Sequence, residues 1–294
     1  MRILILTLAT VFTVSGAFAQ ANILNAKSPD EIGVRTTAQK RIDSDKPLEY
    51  GYVDDRDILF SKMVWEKIDL DERVNFPLYY PVDTNNIGRD RRSLYDVLMK
   101  NIKNGRIKHI YSDSYFKVKS SLGDIEAALS KVDTTEYGIE QLNAGEELSA
   151  EYIDRQDIAS ADIVAYHIKG LWYFDKRQSE MKYRLLGIAP VAPDVHFMDS
   201  ENPDYVELFW VFYPDAREVL HEAKSFNVRN SSMPFSLDHV LNARRFNGYI
   251  YKEENVQEDR TISDYIPDNA LMQLLESDRI KEKIRDFELD MWSY

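Results

Sequence analysis

The chain opens on an apolar run. Arg2 precedes Ile3–Val14, a stretch of apolar or weakly polar residues, and Ala17-Phe18-Ala19 places small residues at the two positions a signal peptidase reads. Residues 1–19 are therefore expected to be a secretory signal cleaved after Ala19. The run is too short for a transmembrane helix, which takes about 20 apolar residues. Gln20–Tyr50 is polar and lacks a sustained period, with single apolar residues such as Ile23, Leu24 and Ile32. It reads as an extended arm, because alone it buries too little apolar surface to offset its ordering entropy.

Periodicity begins at Asp57. Asp57–Glu72 fits a helix: Leu59, Met63 and Leu70 fall on one side of the wheel, Val64, Trp65 and Ile68 on another, and Phe60 between them. So wide an apolar surface exceeds the stripe of a surface helix and implies deep burial or cover by a second surface. The two prolines of Asn75–Pro81 predict extended chain at Tyr79-Tyr80. Ser93 and Asp96 predict a helix start, Leu94, Val97, Leu98 and Ile102 give its stripe, and Gly105 suits its end. Asp124 is expected to cap a further helix carrying Ile125, Ala128, Leu129 and Val132.

Alternation takes over in the middle of the chain. Val164–Phe174 and Met181–Leu186 alternate on either side of a polar turn at Asp175–Ser179, which predicts an antiparallel hairpin. Tyr205–Tyr213 reads as a third strand. Pro214-Asp215 opens a helix bearing Ala216, Val219, Leu220 and Ala223, and Ser236 caps a short one through Leu237, Val240 and Leu241. Phe246–Tyr251 reads as another strand. A helical stretch from Asp268 carries Leu271, Leu274, Leu275, then Ile280, Ile284 and Phe287; its stripe changes phase near Ser277, which predicts a kink or two helices. Strands and helices mix without strict βαβ alternation. The expected fold is α+β, an antiparallel sheet with packed helices behind an extended N-terminal arm. Residues 51–294 are expected to form one domain, with a helical subregion at 268–294.

Composition narrows the chemistry. With Cys 0, disulfides, cysteine nucleophiles and thiolate metal sites are excluded. The formal net charge is −13, and loss of Arg2 with the signal leaves 36 basic residues against 50 acidic ones. Such an acidic balance argues against nucleic acid as a partner. There is no phosphate-binding glycine loop, no G-x-S-x-G and no H-E-x-x-H. None of His109, His167, His196, His221 and His239 pairs with another at metal-ligand spacing, and His167 reads as an ordinary strand residue. No catalytic, cofactor-binding or metal-binding residue is expected, and no cofactor.

What is enriched is contact chemistry: Tyr 18 and Trp 4, residues that supply rigid area with a polar tip. Phe60, Trp65, Tyr79, Tyr80, Tyr249 and Tyr251 are the interface candidates. A head-to-tail ring contact would fall on the Phe60–Trp65 segment, Tyr79-Tyr80 and the arm. The competing reading is a periplasmic monomeric enzyme or ligand-binding protein with a pocket near His196 and His221.

The run from Asp54 to Pro81, DDRDILFSKMVWEKIDLDERVNFPLYYP, is distinctive. So are Arg92–Asp96 (RSLYD), Lys169–Asp175 (KGLWYFD), Leu186–Pro190 (LGIAP) and Leu208–Pro214 (LFWVFYP). Together, over Leu48–Phe246, they resemble the GldN/PorN family of Bacteroidetes gliding motility proteins. The resemblance implies a non-enzymatic periplasmic component of the type IX secretion system. It implies a ring at the inner face of the outer membrane, built with an outer-membrane lipoprotein of the GldK/PorK type. It also implies contact with the periplasmic region of a GldM/PorM-type motor subunit. The absence of a cysteine after the signal fits a protein held at the membrane by a partner, with no insertion of its own.

Overall fold

Ile58–Asp69, expected as a helix, is a twelve-residue strand of the main sheet. The computed structural model describes residues 28, 37, 41, 45–83, 91–144, 150–198, 200, 203–227, 234–257 and 259–292. The signal segment 1–19 and most of the arm, 20–50, lie outside the described residues. Contacts divide the chain into Met1–Lys46 and Pro47–Tyr294, and the second unit carries the fold.

In chain order its elements are β1 (Ile58–Asp69), α1 (Phe76–Tyr79), α2 (Leu94–Lys103), β2 (Ile110–Tyr111), α3 (Leu122–Leu129), β3 (Ser130–Thr134), α4 (Glu136–Ala144), β4 (Ile153–Asp157), β5 (Ala165–Asp175) and β6 (Glu180–Pro193). There follow β7 (Tyr205–Glu207), β8 (Trp210–Phe212), α5 (Tyr213–Glu222), β9 (Lys224–Ser225), β10 (Phe235–Ser236), α6 (Leu237–Asn242), β11 (Tyr249–Glu253), α7 (Ile262–Tyr265) and α8 (Ala270–Trp292). Seven strands form one antiparallel sheet in the order β11-β1-β5-β6-β8-β2, with β7 added to β6. The pairs β3–β4 and β9–β10 stand apart from it. The architecture is α+β.

The helix expectation for Ile58–Asp69 failed because β1 is covered on both faces. Val64, Glu66 and Ile68 are buried on one side, and Trp65 on the other. A strand buried twice loses the polar–apolar alternation that marks an ordinary strand. The β-branched and aromatic content of the segment is the better guide to its state. β5 pairs along its whole length, from Ile58↔Asp175 to Asp69↔Ala165.

Four more expectations are corrected. Phe76–Tyr79 is a helical turn, since Pro77 sits in the first turn, where its missing N–H costs nothing; only Tyr80 before Pro81 is extended. Ser121 caps α3, and Asp124 closes the capping box from the third position; Val132 lies in β3. Tyr205–Tyr213 is split into β7 and β8, with Tyr213 already in α5. α8 runs unbroken through Ser277. The hairpin β5–β6, Ser93 at the start of α2 and Ser236 at the start of α6 stand as read.

On one face of the sheet, α2, α5 and α6 pack over Ile68, Ile168, Leu185 and Ile188. On the same face α8 covers Val64 and Ile250 with Ile280 and Ile284. Ser277 explains the phase change: its Oγ accepts the Ile250 amide at 2.8 Å, and Lys281 Nζ donates to the Gly248 carbonyl at 2.9 Å. α8 thereby shields the outermost strand, whose free groups would otherwise invite another chain.

The same face holds a buried ion pair. Glu66, fully buried, accepts two bonds from Arg244 at 2.6 and 3.0 Å, and the guanidinium stacks over Trp172, Tyr183 and Phe246. Tyr183 reaches this position by lying across Gly170, where any Cβ would run into its ring. Among the described residues no helix is long and apolar enough to cross a membrane.

Two substitutions test this core. Gly170→Ala should cost about 1–3 kcal/mol through overpacking against the buried Tyr183. Arg244→Ala should cost more, roughly 3–5 kcal/mol, because it strands Glu66 without a partner. Urea unfolding of both variants checks the order; an Arg244→Ala cost no larger than that of Gly170→Ala would show that Glu66 is satisfied by other means.

Candidate contact surfaces

The face of the sheet away from the helices is covered by a loop. In register, Trp65 lies between Lys169 of β5 and Lys252 of β11. The Lys169 ammonium sits 5.0 Å from the Trp65 ring centre, 4.8 Å from Tyr115 and 5.2 Å from Phe116. Lys252 sits 4.4 Å from Trp65 and 4.8 Å from Tyr115. Lys169 donates to the Ser114 carbonyl at 2.9 Å, and Lys252 to Asp259 at 3.4 Å. Burial, reinforced by the charge of Lys252, lowers the pKa of Lys169.

Asp113 builds the covering loop. Its carboxylate accepts the amides of Tyr115, Lys117 and Val118. Burial opposes its ionisation, but these donors prevail and hold it below the usual carboxylate range. Phe116 adopts a left-handed φ of 60°, which seats its ring on Gly187 and against Tyr111 and Phe212. Trp65 is accordingly 2% exposed, a packed residue of the sheet.

A second polar cluster lies on this face. Glu207 of β7 accepts from Trp210 Nε1 at 2.6 Å, from His167 Nδ1 at 2.7 Å and from the Tyr251 hydroxyl at 3.4 Å. The His167 and Tyr251 rings stack with centres 4.5 Å apart. Partial burial works against the Glu207 carboxylate, but the bonds and charge from His167 with the Trp210 and Tyr251 donors lower its pKa. Burial and the charge of Glu207 push Tyr251 well above its ordinary value. Sequence reasoning missed this cluster: Glu207 is 40 residues from His167, and only the β6–β7 pairing brings them together.

The other candidates sit elsewhere. Phe60 is stacked on Phe287 of α8 at 4.4 Å. Tyr79 donates to the Ala161 carbonyl at 3.0 Å. Tyr80 is half exposed and packs edge-on with Tyr79 and the exposed Phe76. Tyr249 is half-buried opposite Lys67. The structure thus groups Trp65 and Tyr251 on one sheet face, and groups Tyr79 with Tyr80 at a separate place.

Two regions lie outside the contact candidates named from the sequence. In the strap 48–53, Tyr50 carries both Arg217 and Arg184 on its ring, at 4.0 and 4.7 Å, and donates to Asn242 at 2.7 Å. Burial, against the pull of Arg217, pushes its phenol up to about 12. The guanidinium of Arg217 also donates to the Leu48 carbonyl and that of Arg184 to the Gly51 carbonyl. The second region is the outer side of α8, where Leu271, Met272, Leu274 and Leu275 are exposed, as are Leu289 and Trp292. The phase change at Ser277 is the signal that separates these leucines from the buried stripe.

His196 and His221 do not come together with a carboxylate: among the described residues no group of three His, Asp or Glu side chains could hold a metal ion. One cleft is lined by Glu49–Val53 with residues of β5 and β6, another by Ser263, Pro267–Ala270 and Gln273, and neither includes these histidines.

Glu207 gives a pH test. Its folded pKa lies below the usual 4.5, so its contribution is present above pH 4.5 and is lost as pH falls through the folded value. Glu207→Gln should therefore be less stable than the parent at pH 6, with the gap closing as the pH is lowered below 4.5 in denaturant titrations. A gap independent of pH would assign the effect to packing.

No curated protein matches the chain significantly. The sequence model of the family described as gliding motility associated protein GldN matches residues 53–293, reaching through α8 beyond the span on which the motifs were recognised. The chain belongs to the GldN family.

Proposed function

We propose that this chain is a non-enzymatic structural subunit of the type IX secretion and gliding motility machinery. In this reading it is exported through residues 1–19 to the periplasm and lies at the inner face of the outer membrane. There it forms a ring with a GldK/PorK-type lipoprotein and contacts the periplasmic region of a GldM/PorM-type motor subunit. Family membership supplies the setting.

The observation that carries a contact role is the outer side of α8. Leu271, Leu274 and Leu275 share one helical face by their spacing of three and four, opposite the side that buries Ser277, Ile280 and Ile284. Scattered exposed apolar residues need no explanation, but a contiguous group on a helix face marks an interaction surface. Phe76 and Tyr80 offer a second, aromatic patch.

The test is purification of the tagged chain from detergent-solubilised envelopes, comparing the parent with Leu274→Glu/Leu275→Glu. Both positions are exposed, so the variant should keep its circular dichroism and melting profile. The parent should elute in a large particle with a lipoprotein, and the variant should be recovered as a smaller species without it. A parent that elutes alone under all salt and detergent conditions overturns the scaffold reading; an intact particle with a folded variant moves the contact away from α8.

A further inference from the structure

We infer that Lys169 and Lys252, with Trp65 between them, form a site that accepts a carboxylate. The inference stands apart from the assembly role and rests on different residues.

Two like charges are brought together where packing alone would favour apolar side chains. Lys169 is 6% exposed and Lys252 7%, and both lie over the rings of Trp65 and Tyr115. Cation–π contact offsets part of the desolvation of a buried ammonium, but it supplies no hydrogen-bond acceptor. Each ammonium has three donors. Lys169 has one on a neutral carbonyl, and Lys252 has a long bond to Asp259 and a contact with the Tyr115 hydroxyl. Trp65 Nε1, between them in the sheet, is buried and has no acceptor. Donors therefore outnumber acceptors around the Trp65 ring.

The surrounding carboxylates do not cancel that charge. Lys169 feels Asp113 and Glu254 as opposite charges and Lys252 and Lys117 as like ones. Asp113 has its oxygens committed to three backbone amides, and Glu254 is exposed on the connector after β11. Asp259 reaches Lys252 at 3.4 Å with a side chain 82% exposed, and it also accepts from the Tyr115 hydroxyl. That contact is a weak internal version of the proposed one. It shows that a polypeptide carboxylate approaches Lys252 from the solvent side. A carboxylate not tethered to the chain at Asp259 would reach Lys252 at the shorter distance usual for an ammonium–carboxylate bond.

The experiment is isothermal titration of the full-length chain in chloride buffer with sodium succinate and with a glutamate-rich hexapeptide, using phosphate and sulfate at matched ionic strength for comparison. Carboxylate binding is expected. Lys252→Gln should weaken it roughly tenfold or more, the scale of one lost charge-assisted bond. Asp259→Asn, at an exposed position that leaves the fold intact, should tighten it by removing the internal competitor. A peptide bound more tightly than succinate identifies a polypeptide source, and the reverse a free small acid. The inference is overturned by no binding heat from either carboxylate, by tighter binding of phosphate and sulfate, or by equal affinity in Lys252→Gln. Should Lys252→Gln fail to fold, Asp259→Asn decides alone, and unchanged or weaker affinity there overturns it.

Discussion

Strand β1 carries a fully buried glutamate on one face and a buried tryptophan on the other, and both have partners that tolerate no other register. Glu66 must meet Arg244, and Trp65 must lie between Lys169 and Lys252. A slip of one residue would exchange the faces. It would put a carboxylate among the rings of the covering loop and the indole against a guanidinium. Arg244 supports the arrangement from a left-handed φ of 49°, a conformation that costs on the order of 1–3 kcal/mol and persists because its surroundings over-determine it. The sheet grows outward from that strand. β5 pairs along all of β1, β6 follows β5 by hairpin, and β11 is held at the outer side by Asn75, which bonds the carbonyls of Asp69 and Asn247 and accepts the Asn247 amide.

Cations laid over aromatic rings recur around this strand. Arg244 lies over Trp172, Tyr183 and Phe246; the two lysines lie over Trp65 and Tyr115; Arg184 and Arg217 lie over Tyr50. This changes the meaning of the tyrosine and tryptophan surplus. Much of it holds buried charge inside the molecule, where a ring face is the one apolar surface that also attracts a cation. The surplus available for outside contacts is correspondingly smaller: among the described residues it is Tyr52, Tyr80, Tyr137, Tyr205 and Trp292.

The parts legible in the sequence are those whose cause is local. The β5–β6 hairpin follows from alternation on both sides of a polar turn, and the starts of α2 and α6 follow from a serine whose hydroxyl takes the amide three residues on. β1 was not legible, because its covering layers come from elsewhere in the chain, from the loop around Tyr115 to Phe287 of α8, and erase its alternation. The burial of Glu66 has no local signal either: Arg244 is 178 residues distant. Trp65 and Phe60 read as large apolar surface in need of cover, but sequence carries no information on whether that cover is the same chain. For Phe60 it is Phe287, and for Trp65 it is the loop around Tyr115. The Glu207 cluster depends on strand pairing that no local pattern announces.

α8 joins two roles that usually fall to different elements. Its inner side closes the sheet edge, with Ser277 on the Ile250 amide and Lys281 on the Gly248 carbonyl, while its outer side presents leucines to solvent. A helix that only covered an edge would be polar outside. A helix that only bound a partner would not need a buried serine at the point where its apolar stripe turns. Under the proposed assembly role, force applied to the outer leucines enters the sheet at β11. From there the ladder with β1 carries it to the Glu66–Arg244 pair and to β5, through bonds aligned across strands rather than through a flexible linker. The same ladder sets Lys252 of β11 opposite Trp65, across β1 from Lys169 of β5.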